Sequence, residues 1–354
     1  MNTLERSGII LMGYYGHDNL GDDLLLLSTL MILKEANVKN EIYIPAPKNI
    51  EKLRKSFPKE LKIKVIPRYN PYTLERYFHR SCCTIFGGGN LFQDETSTRS
   101  FLYYHFIAKR TLKRKNSLAF LSQGFGPIHK QRNRKHLKKI LGNERSYGVI
   151  RDKVSYRYAR RFSKNYQMGT DYGPYYLLKK KLITPNHEKD PELAFTVLKS
   201  GTSASEVVEA LKYLGYRKLC AVGFHNSHDS QKQMELEDYA VNNGMEIIRP
   251  PQNIDGVMEL LSKASIVVTE RLHGAILATV QGTPFVWKKN RKTNRFVSSL
   301  VNDYCFSFNN SLESIVLAIN GALRYDFDKL RATYLEKLDE TVDRSIKLIN
   351  KILD

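Results

Sequence analysis

Short apolar runs alternate with loops and helix-like stretches along almost the whole chain. The first run, Gly8 to Met12, predicts a strand; a loop from Gly13 to Asp23 follows, then a leucine-rich helix from Leu24 to Lys34. Glu41 to Ile44 and Lys62 to Ile66 predict two further strands, with a basic helical stretch around Ile50 to Ser56 between them. Three more strands, Cys82 to Phe86, Ser117 to Ser122 and Tyr147 to Ile150, each run into a polar or glycine-rich segment. Those segments are Gly87-Gly88-Gly89-Asn90, Gln123-Gly124-Phe125-Gly126-Pro127 and Arg151-Asp152. Strands alternating with helices predict a parallel sheet, and open parallel sheets bind ligands at the carboxyl ends of their strands, where all these loops lie.

Between Met168 and Pro191 the pattern breaks into Gly, Pro, Tyr and charged residues, which reads as an interdomain connection. It restarts with strands at Leu193 to Leu198, Lys218 to Phe224, Met245 to Ile248, Ser265 to Thr269 and Pro284 to Lys288. Helices at Ser203 to Leu214, Gln231 to Asn242 and Ile254 to Lys263 separate them. The expected organisation is an N-terminal α/β domain over residues 1–175, a linker over 176–191, a second Rossmann-like domain over 192–324, and a C-terminal helix over 325–354 long enough to return to the first domain. The expected fold class is α/β, two facing Rossmann-like domains with a cleft between them, which resembles the GT-B glycosyltransferase architecture.

With 354 residues and 42% apolar composition the chain is long enough for two cores, and no stretch reads as a membrane span. No signal peptide is visible, and four cysteines without metal-ligand spacing point to a reducing cytoplasm. The formal charge of +20 is concentrated: Lys109 to Lys139 holds eleven Lys or Arg and no Asp or Glu. A solvated face, an anionic membrane surface and nucleic acid all suit such a stretch. Zinc-finger spacing, an aromatic RNA-binding signature and an evident recognition helix are all lacking, so no nucleic-acid partner is expected. A peripheral position on the inner face of the cytoplasmic membrane is the expectation that goes with the charge.

Glu270-Arg271-Leu272-His273-Gly274 carries the most chemistry. It lies where an apolar strand hands over to a small-residue helix, so backbone N–H groups and the positive end of a helix dipole join an arginine and a histidine in a ready anion site. Arg271 has a competing structural reading as the salt-bridge partner of Glu270. His225-Asn226-Ser227-His228-Asp229 offers two histidines three residues apart in what reads as a loop, with no third ligand in view, so no metal is expected there. His17 is discounted as well.

Taken in order, Gly13-Tyr14-Tyr15-Gly16, Asn19-Leu20-Gly21-Asp22, Gly87-Gly88-Gly89-Asn90-Leu91-Phe92-Gln93-Asp94, Gln123-Gly124-Phe125-Gly126-Pro127, Arg151-Asp152 and Glu270-Arg271-Leu272-His273-Gly274 resemble the polysaccharide pyruvyl transferase family over roughly residues 8 to 300. Gln93 to Ser100 and the aromatic run after it are similar to the branch acting on bacterial secondary cell-wall polymers. The resemblance implies transfer of pyruvate from phosphoenolpyruvate (PEP) to two hydroxyls of one sugar, commonly O4 and O6 of a hexose or N-acetylhexosamine. A cyclic ketal forms and phosphate leaves. PEP carries a phosphate and a carboxylate on adjacent atoms, so the site needs fixed cations, and its methylene carbon must gain a proton before C2 is attacked. Neither a metal nor an organic cofactor is required; PEP is a co-substrate, and the other partner is a sugar acceptor expected to be carried on a lipid diphosphate.

On this reading Arg151 and Arg271 clamp PEP, since guanidinium forks match carboxylate and phosphate oxygens. His273 is the candidate general acid, or else only hydrogen-bonds phosphate. Gly274 belongs to the same anion site, and Lys292, by its place in Lys292-Thr293-Asn294-Arg295-Phe296, is a further donor cation, with the run Lys288, Lys289 and Arg291 leaving the choice among these basic residues open. Tyr14, Asn19, Asp22, Asp94 and Arg99 form the expected acceptor side; Asn19, Asp22 and Asp23 otherwise read as caps of the leucine-rich helix. Gly87 to Gly89 and Gln123 have purely structural readings too. The aromatic run Phe101 to Phe106 is expected in the core, with Tyr103 and Tyr104 as candidates to border the cleft. Two alternatives stay open. One is a sugar-nucleotide-dependent glycosyltransferase, for which Glu270 is the only acid placed to grip a ribose. The other is a non-catalytic basic module for membranes or nucleic acid.

Overall fold

A computed structural model describes residues 7–185, 188–251 and 253–354. The chain forms two compact units, one of residues 1–17, 22–175 and 337–354 and the other of residues 18–21 and 176–336. The chain thus passes between units at Tyr175–Tyr176, and the last helix is divided between them.

The first unit contains strands β1 (Gly8–Met12), β2 (Glu41–Ala46), β3 (Lys62–Pro67), β4 (Ser81–Phe92), β5 (Ser117–Phe125), β6 (Ser146–Ile150) and β7 (Tyr166–Met168). Their helices are α1 (Leu20–Glu35), α2 (Pro71–Arg80), α3 (Thr98–Lys113), α4 (Gln131–Leu141) and α5 (Lys153–Arg160); α6 (Tyr175–Lys179) follows β7. All strand pairs are parallel, in the order β3-β2-β1-β4-β5-β6-β7. One face of this sheet, through Phe86 and Phe120, meets Leu74 and Phe78 of α2, Phe101 and Tyr104 of α3, Leu137 of α4 and Ala159 of α5. Phe101 and Tyr104 are thus core, as the aromatic run suggested, whereas Phe106 is 46% exposed.

Three boundaries next to the glycine segments and the N-terminal loop differ from the sequence expectation. β4 and β5 do not stop at Phe86 and Ser122 but run on through the glycine segments, pairing Gly87 with Leu121, Gly89 with Gln123 and Phe92 with Phe125. Gly88 and Gly89 adopt φ of +85° and +90°, a left-handed region that glycine enters without steric cost, so the strand bends without ending. Helix α1 starts at Leu20, which places Asp22 and Asp23 inside its first turn, where carboxylates favour the dipole, rather than ahead of it.

In the second unit, β8 (Asp190–Val197), β9 (Lys218–Ala221), β10 (Glu246–Ile247), β11 (Ala264–Thr269), β12 (Phe285–Lys288) and β13 (Ser307–Phe308) form a parallel sheet in the order β10-β9-β8-β11-β12-β13. Its helices are α7 (Ala204–Tyr213), α8 (Asn226–Asn242), α9 (Ile254–Lys263), α10 (Leu272–Gln281), α11 (Arg291–Leu300), α12 (Leu312–Arg324) and α13 (Phe327–Leu353). Helix α8 begins at Asn226, so His228 and Asp229 stand in its first turn and His225 is its N-cap, not a loop as the sequence suggested. The C-terminal part of α13 belongs to the first unit, where Thr341 Oγ1 accepts the Thr170 N–H at 2.8 Å. Among the described residues no helix is long and apolar enough to cross a membrane.

Candidate functional site

β11 is a central strand, flanked by β8 and β12, and its carboxyl end delivers Glu270 and Arg271 to the start of α10. Gly274 has a packing reason to be glycine: a Cβ there would lie 2.3 Å from Thr269 Oγ1. The helix can therefore sit close on the strand it follows. Thr269 Oγ1 accepts the Arg271 N–H at 2.9 Å, which fixes the turn. Arg271 is the N-cap residue, with extended backbone, and the first intrahelical bonds come from Gly274 N and Ala275 N to its carbonyl. The amides of Leu272 and His273 thus stand at the positive end of α10.

The structure overturns the Glu270 reading of Arg271. Its guanidinium forks onto Asp229 of α8, with Nε 3.0 Å from Oδ2 and Nη2 bonded to Oδ1. Asp229 is 1% exposed and also accepts the His225 N–H at 3.0 Å. The His225 ring lies 4.3 Å from that of His228, and burial together with His228 and Arg271 holds its pKa below the usual histidine value. These neighbours bias the His225 ring toward its neutral form beside the Arg271–Asp229 pair. Among the described residues no group of three or more His, Cys, Asp or Glu is placed to hold a metal ion.

Glu270 turns the other way. Its carboxylate accepts the Lys199 N–H and lies 3.6 Å from Lys288 Nζ, and Lys288 also donates to the Gly201 carbonyl. Glu270 and Lys288 together hold the loop after β8 against the ends of β11 and β12. Lys292 occupies the first turn of α11, is exposed, and follows the N-cap Asn290, whose Oδ1 accepts the Thr293 N–H at 3.0 Å. Within this basic run, Lys288 is thus fixed at the strand end and Lys292 stands on a helix surface.

Residues 18–21, read from sequence as part of the N-terminal loop, group with the second unit. Asn19 forms an antiparallel bridge with His225, and the Leu20 N–H donates to the Phe224 carbonyl at 2.8 Å. Asn19 Oδ1 accepts the Gly21 N–H at 3.2 Å, a local turn that keeps its side chain busy. A Cβ on Gly21 would lie 1.9 Å from His273 Nδ1, so the backbone of Gly21 is laid directly against the imidazole. Two motifs some 250 residues apart, Asn19-Leu20-Gly21 and Arg271-Leu272-His273, meet here.

In the first unit, Arg151 extends from the carboxyl end of β6. It is 8% exposed, pairs through Nη1 with Asp171 Oδ2 at 3.1 Å, and lies over Gly124, where a Cβ would come within 2.9 Å of its Nε. Gln123, fully buried, donates from Nε2 to the Gly89 carbonyl at 2.6 Å and so locks β5 to the glycine segment of β4, in line with its structural reading. Tyr15 donates to the Gly87 carbonyl at 2.7 Å, and Gly87 has room for no Cβ, with that hydroxyl 2.4 Å away. Asp22 Oδ1 would lie 3.5 Å from a Cβ on Gly89. Tyr14 stacks on His17 at 4.1 Å, and burial, then Asp22, raises its pKa.

Arg68, which sequence reasoning passed over, organises this loop. It is buried, donates to the carbonyls of Gly13 (2.8 Å) and Pro45 (3.2 Å) and to Tyr104 Oη (2.7 Å), and lies over the rings of Tyr69, Tyr103 and Tyr104. Tyr103 and Tyr104 therefore hold Arg68. Asp94 accepts from His129 N (2.6 Å), Lys130 N (3.1 Å) and Asn133 Nδ2 (2.8 Å); these donors keep its carboxyl below the usual range against the opposing effect of burial. Its carboxylate is thus engaged by the loop entering α4. Arg99 is exposed in the first turn of α3. Asp229 and Asp171, the partners of the two arginines, were also missed. Each is a carboxylate shortly after the carboxyl end of a strand, which was the available signal.

The family model described as polysaccharide pyruvyl transferase matches residues 19–291. No curated protein matches the chain. Among solved structures the chain is similar to the UDP-GlcNAc 2-epimerase of Methanocaldococcus jannaschii (12% identity, TM-score 0.64, 97% of this chain and 99% of that one). It also resembles a glycosyltransferase from Rickettsia africae (12%, 0.61, 99% and 99%) and Acinetobacter baumannii MurG (10%, 0.53, 97% and 98%). At such identities the likeness is one of fold, and it is the GT-B fold of two parallel-sheet α/β domains.

Proposed function

Since the chain belongs to the polysaccharide pyruvyl transferase family, we propose that it transfers pyruvate from PEP to two hydroxyls of one sugar, in a bacterial cell-surface polysaccharide or its lipid-linked precursor. The observation that carries the reading is the corner at the start of α10, where Arg271, oriented by buried Asp229, and His273, backed by Gly21, stand at a helix N-terminus. A dianionic donor is what such a corner favours.

The chemistry assigns each group a task. Arg271 and the amides at the start of α10 bind the anionic groups of PEP. His273 protonates the methylene carbon, which becomes a methyl group as positive charge develops at C2. A sugar hydroxyl oxygen bonds to C2 and gives up its proton, which restores the one His273 delivered to carbon; the second hydroxyl then bonds to the same carbon as the C2–O bond to phosphate breaks, and its proton leaves with the phosphate. One proton gained at carbon and two lost from hydroxyls balance the ketal and a protonated phosphate. Lys292 is the proposed further donor cation, with the other basic residues of the run Lys288 to Arg291 as alternatives, and Tyr14, Asn19, Asp22, Asp94 and Arg99 remain the proposed acceptor set. Within it Asp94 acts by holding the loop before α4.

The test is incubation of purified protein with PEP and a panel of N-acetylhexosamine-terminated acceptors, following phosphate release and acceptor mass. A mass gain of one pyruvyl ketal is expected, and it is lost in His273→Ala, which keeps the wild-type melting profile, and in Arg151→Ala, which also melts lower because it leaves the buried Asp171 carboxylate unpaired. Normal turnover in His273→Ala overturns the assignment of the acid. PEP that neither reacts nor raises the melting temperature overturns the donor and favours a sugar-nucleotide enzyme.

A further inference from the structure

We propose that the outer surface of the helix layer α3–α4–α5 in the first unit is a docking surface for an anionic phospholipid bilayer. From Thr96 to Asn143 the chain has no Asp or Glu, so α3 and α4 contribute cations and no carboxylate. These two helices are neighbours in the layer: the rings of His105 on α3 and His136 on α4 stack at 4.1 Å. On α3, positions three and four residues apart put Arg99, Leu102, Phe106, Lys109 and Lys113 on one exposed stripe. Leu102 is 39% and Phe106 46% exposed. Helix α4 exposes Arg134, Lys135, Lys138 and Lys139, and α5 exposes Val154 and Arg157. The carboxylate facing α3 from α2, Glu75, is occupied by Arg110 and Arg114 and so leaves the outward lysines unneutralised.

The combination selects the partner. A surface that met only the phosphates of a nucleic acid would be satisfied by cations, and Leu102 and Phe106 would gain nothing. A bilayer interface takes both, with lysines and arginines at the headgroups and the two apolar side chains in the acyl boundary between them. Leu102 lies in the second turn of α3 and Phe106 at its middle, and the helix starts just after the carboxyl end of β4, where Asp94 and Arg99 of the proposed acceptor set lie. Docking here brings that edge of the sheet to the membrane surface. The inference does not depend on the transfer chemistry and fails or stands separately from it.

Vesicle flotation of the full chain tests it, with phosphatidylcholine alone against equimolar phosphatidylcholine and phosphatidylglycerol. Flotation is expected only with the anionic vesicles and is expected to fall as salt rises. Leu102→Ser combined with Phe106→Ser, and separately Lys135→Glu combined with Lys138→Glu, are each expected to weaken it by about tenfold or more, with turnover on a soluble acceptor unchanged. Phe106→Trp keeps the test independent of the stability of the serine variant: its emission shifts to the blue and is quenched by brominated lipid if the side chain enters the bilayer. Absence of flotation, flotation indifferent to lipid charge, or an unshifted Trp emission overturns the proposal. Tight binding of a single-stranded RNA oligonucleotide that is insensitive to the serine substitutions assigns the face to nucleic acid instead.

Discussion

Asp229→Asn separates a residue that shapes the donor corner from one that merely supports the fold. Asp229 is 1% exposed and makes two charge-assisted bonds to Arg271 and one to the His225 N–H. Breaking a buried ion pair by removing one partner costs about 3–5 kcal/mol. Arg271 is 21% exposed and regains some water, so the cost here falls to about 2–3 kcal/mol. For a domain of this size that lowers the melting temperature by roughly 6–10 °C. The asparagine amide still offers an oxygen to the His225 N–H, but it cannot hold the guanidinium fork on two anionic oxygens. Freed of that fork, Arg271 no longer meets PEP in a fixed orientation, and a displacement of about 1 Å at such a group costs on the order of 10²-fold in rate. The expected kinetic result is a fall of about 10²-fold in kcat/KM for PEP, about 2.7 kcal/mol of transition-state stabilisation. The KM for acceptor should be unchanged. Differential scanning fluorimetry and steady-state phosphate release measure both quantities on one preparation. A variant that melts lower yet keeps wild-type kcat/KM refutes the reasoning and makes Asp229 a purely structural partner.

Three other outcomes are expected. Gly21→Ala drives a methyl group into the space of the His273 ring, whose Nδ1 lies 1.9 Å from that position; overpacking of this kind costs about 1–3 kcal/mol, and turnover falls with the displaced imidazole while PEP still protects against melting. Lys288→Gln disturbs both the Glu270 carboxylate and the Gly201 carbonyl and therefore lowers stability as well as activity, whereas Lys292→Gln, on an exposed helix surface, leaves stability alone; KM for PEP in the second variant decides whether Lys292 contacts the donor. His105, packed against His136 beside Lys109 and Arg132, has its pKa pushed down to about 4, first by burial and then by those charges. The unfolded chain then binds more protons between the ordinary histidine pKa of about 6.5 and about 4, so this contribution to stability is complete above about pH 6.5 and is lost as pH falls toward about 4. Melting curves across that range should show a shallower decline for His105→Gln, and an unchanged slope counts against it.

What the sequence made legible and what it hid differ in physical kind. The strands were readable because a parallel strand is buried on both faces and appears as an apolar run: Ile9 to Met12, Val267 and Val268 are all fully buried. The Glu270 to Gly274 junction was readable for the same reason, since the run ends where the helix begins. The passage of β4 through Gly87-Gly88-Gly89 was not, because glycine carries no pattern and only pairing with β5 shows that the ladder continues. Least legible were the partners of charges. Arg271 and Asp229 are 42 residues apart, and Arg151 and Asp171 are 20 apart, distances at which nothing local records a pairing. The failure of the competing Glu270 reading shows why adjacency misleads here. Arg271 has extended backbone, and successive side chains on such backbone point to opposite faces, so neighbours in sequence are poor candidates for a salt bridge. Glu270 accordingly turns to Lys199 and Lys288, and Arg271 to α8. Alternation, the rule that locates strands, also separates these two charges and leaves Arg271 available to a donor only because a carboxylate on another element keeps it in place.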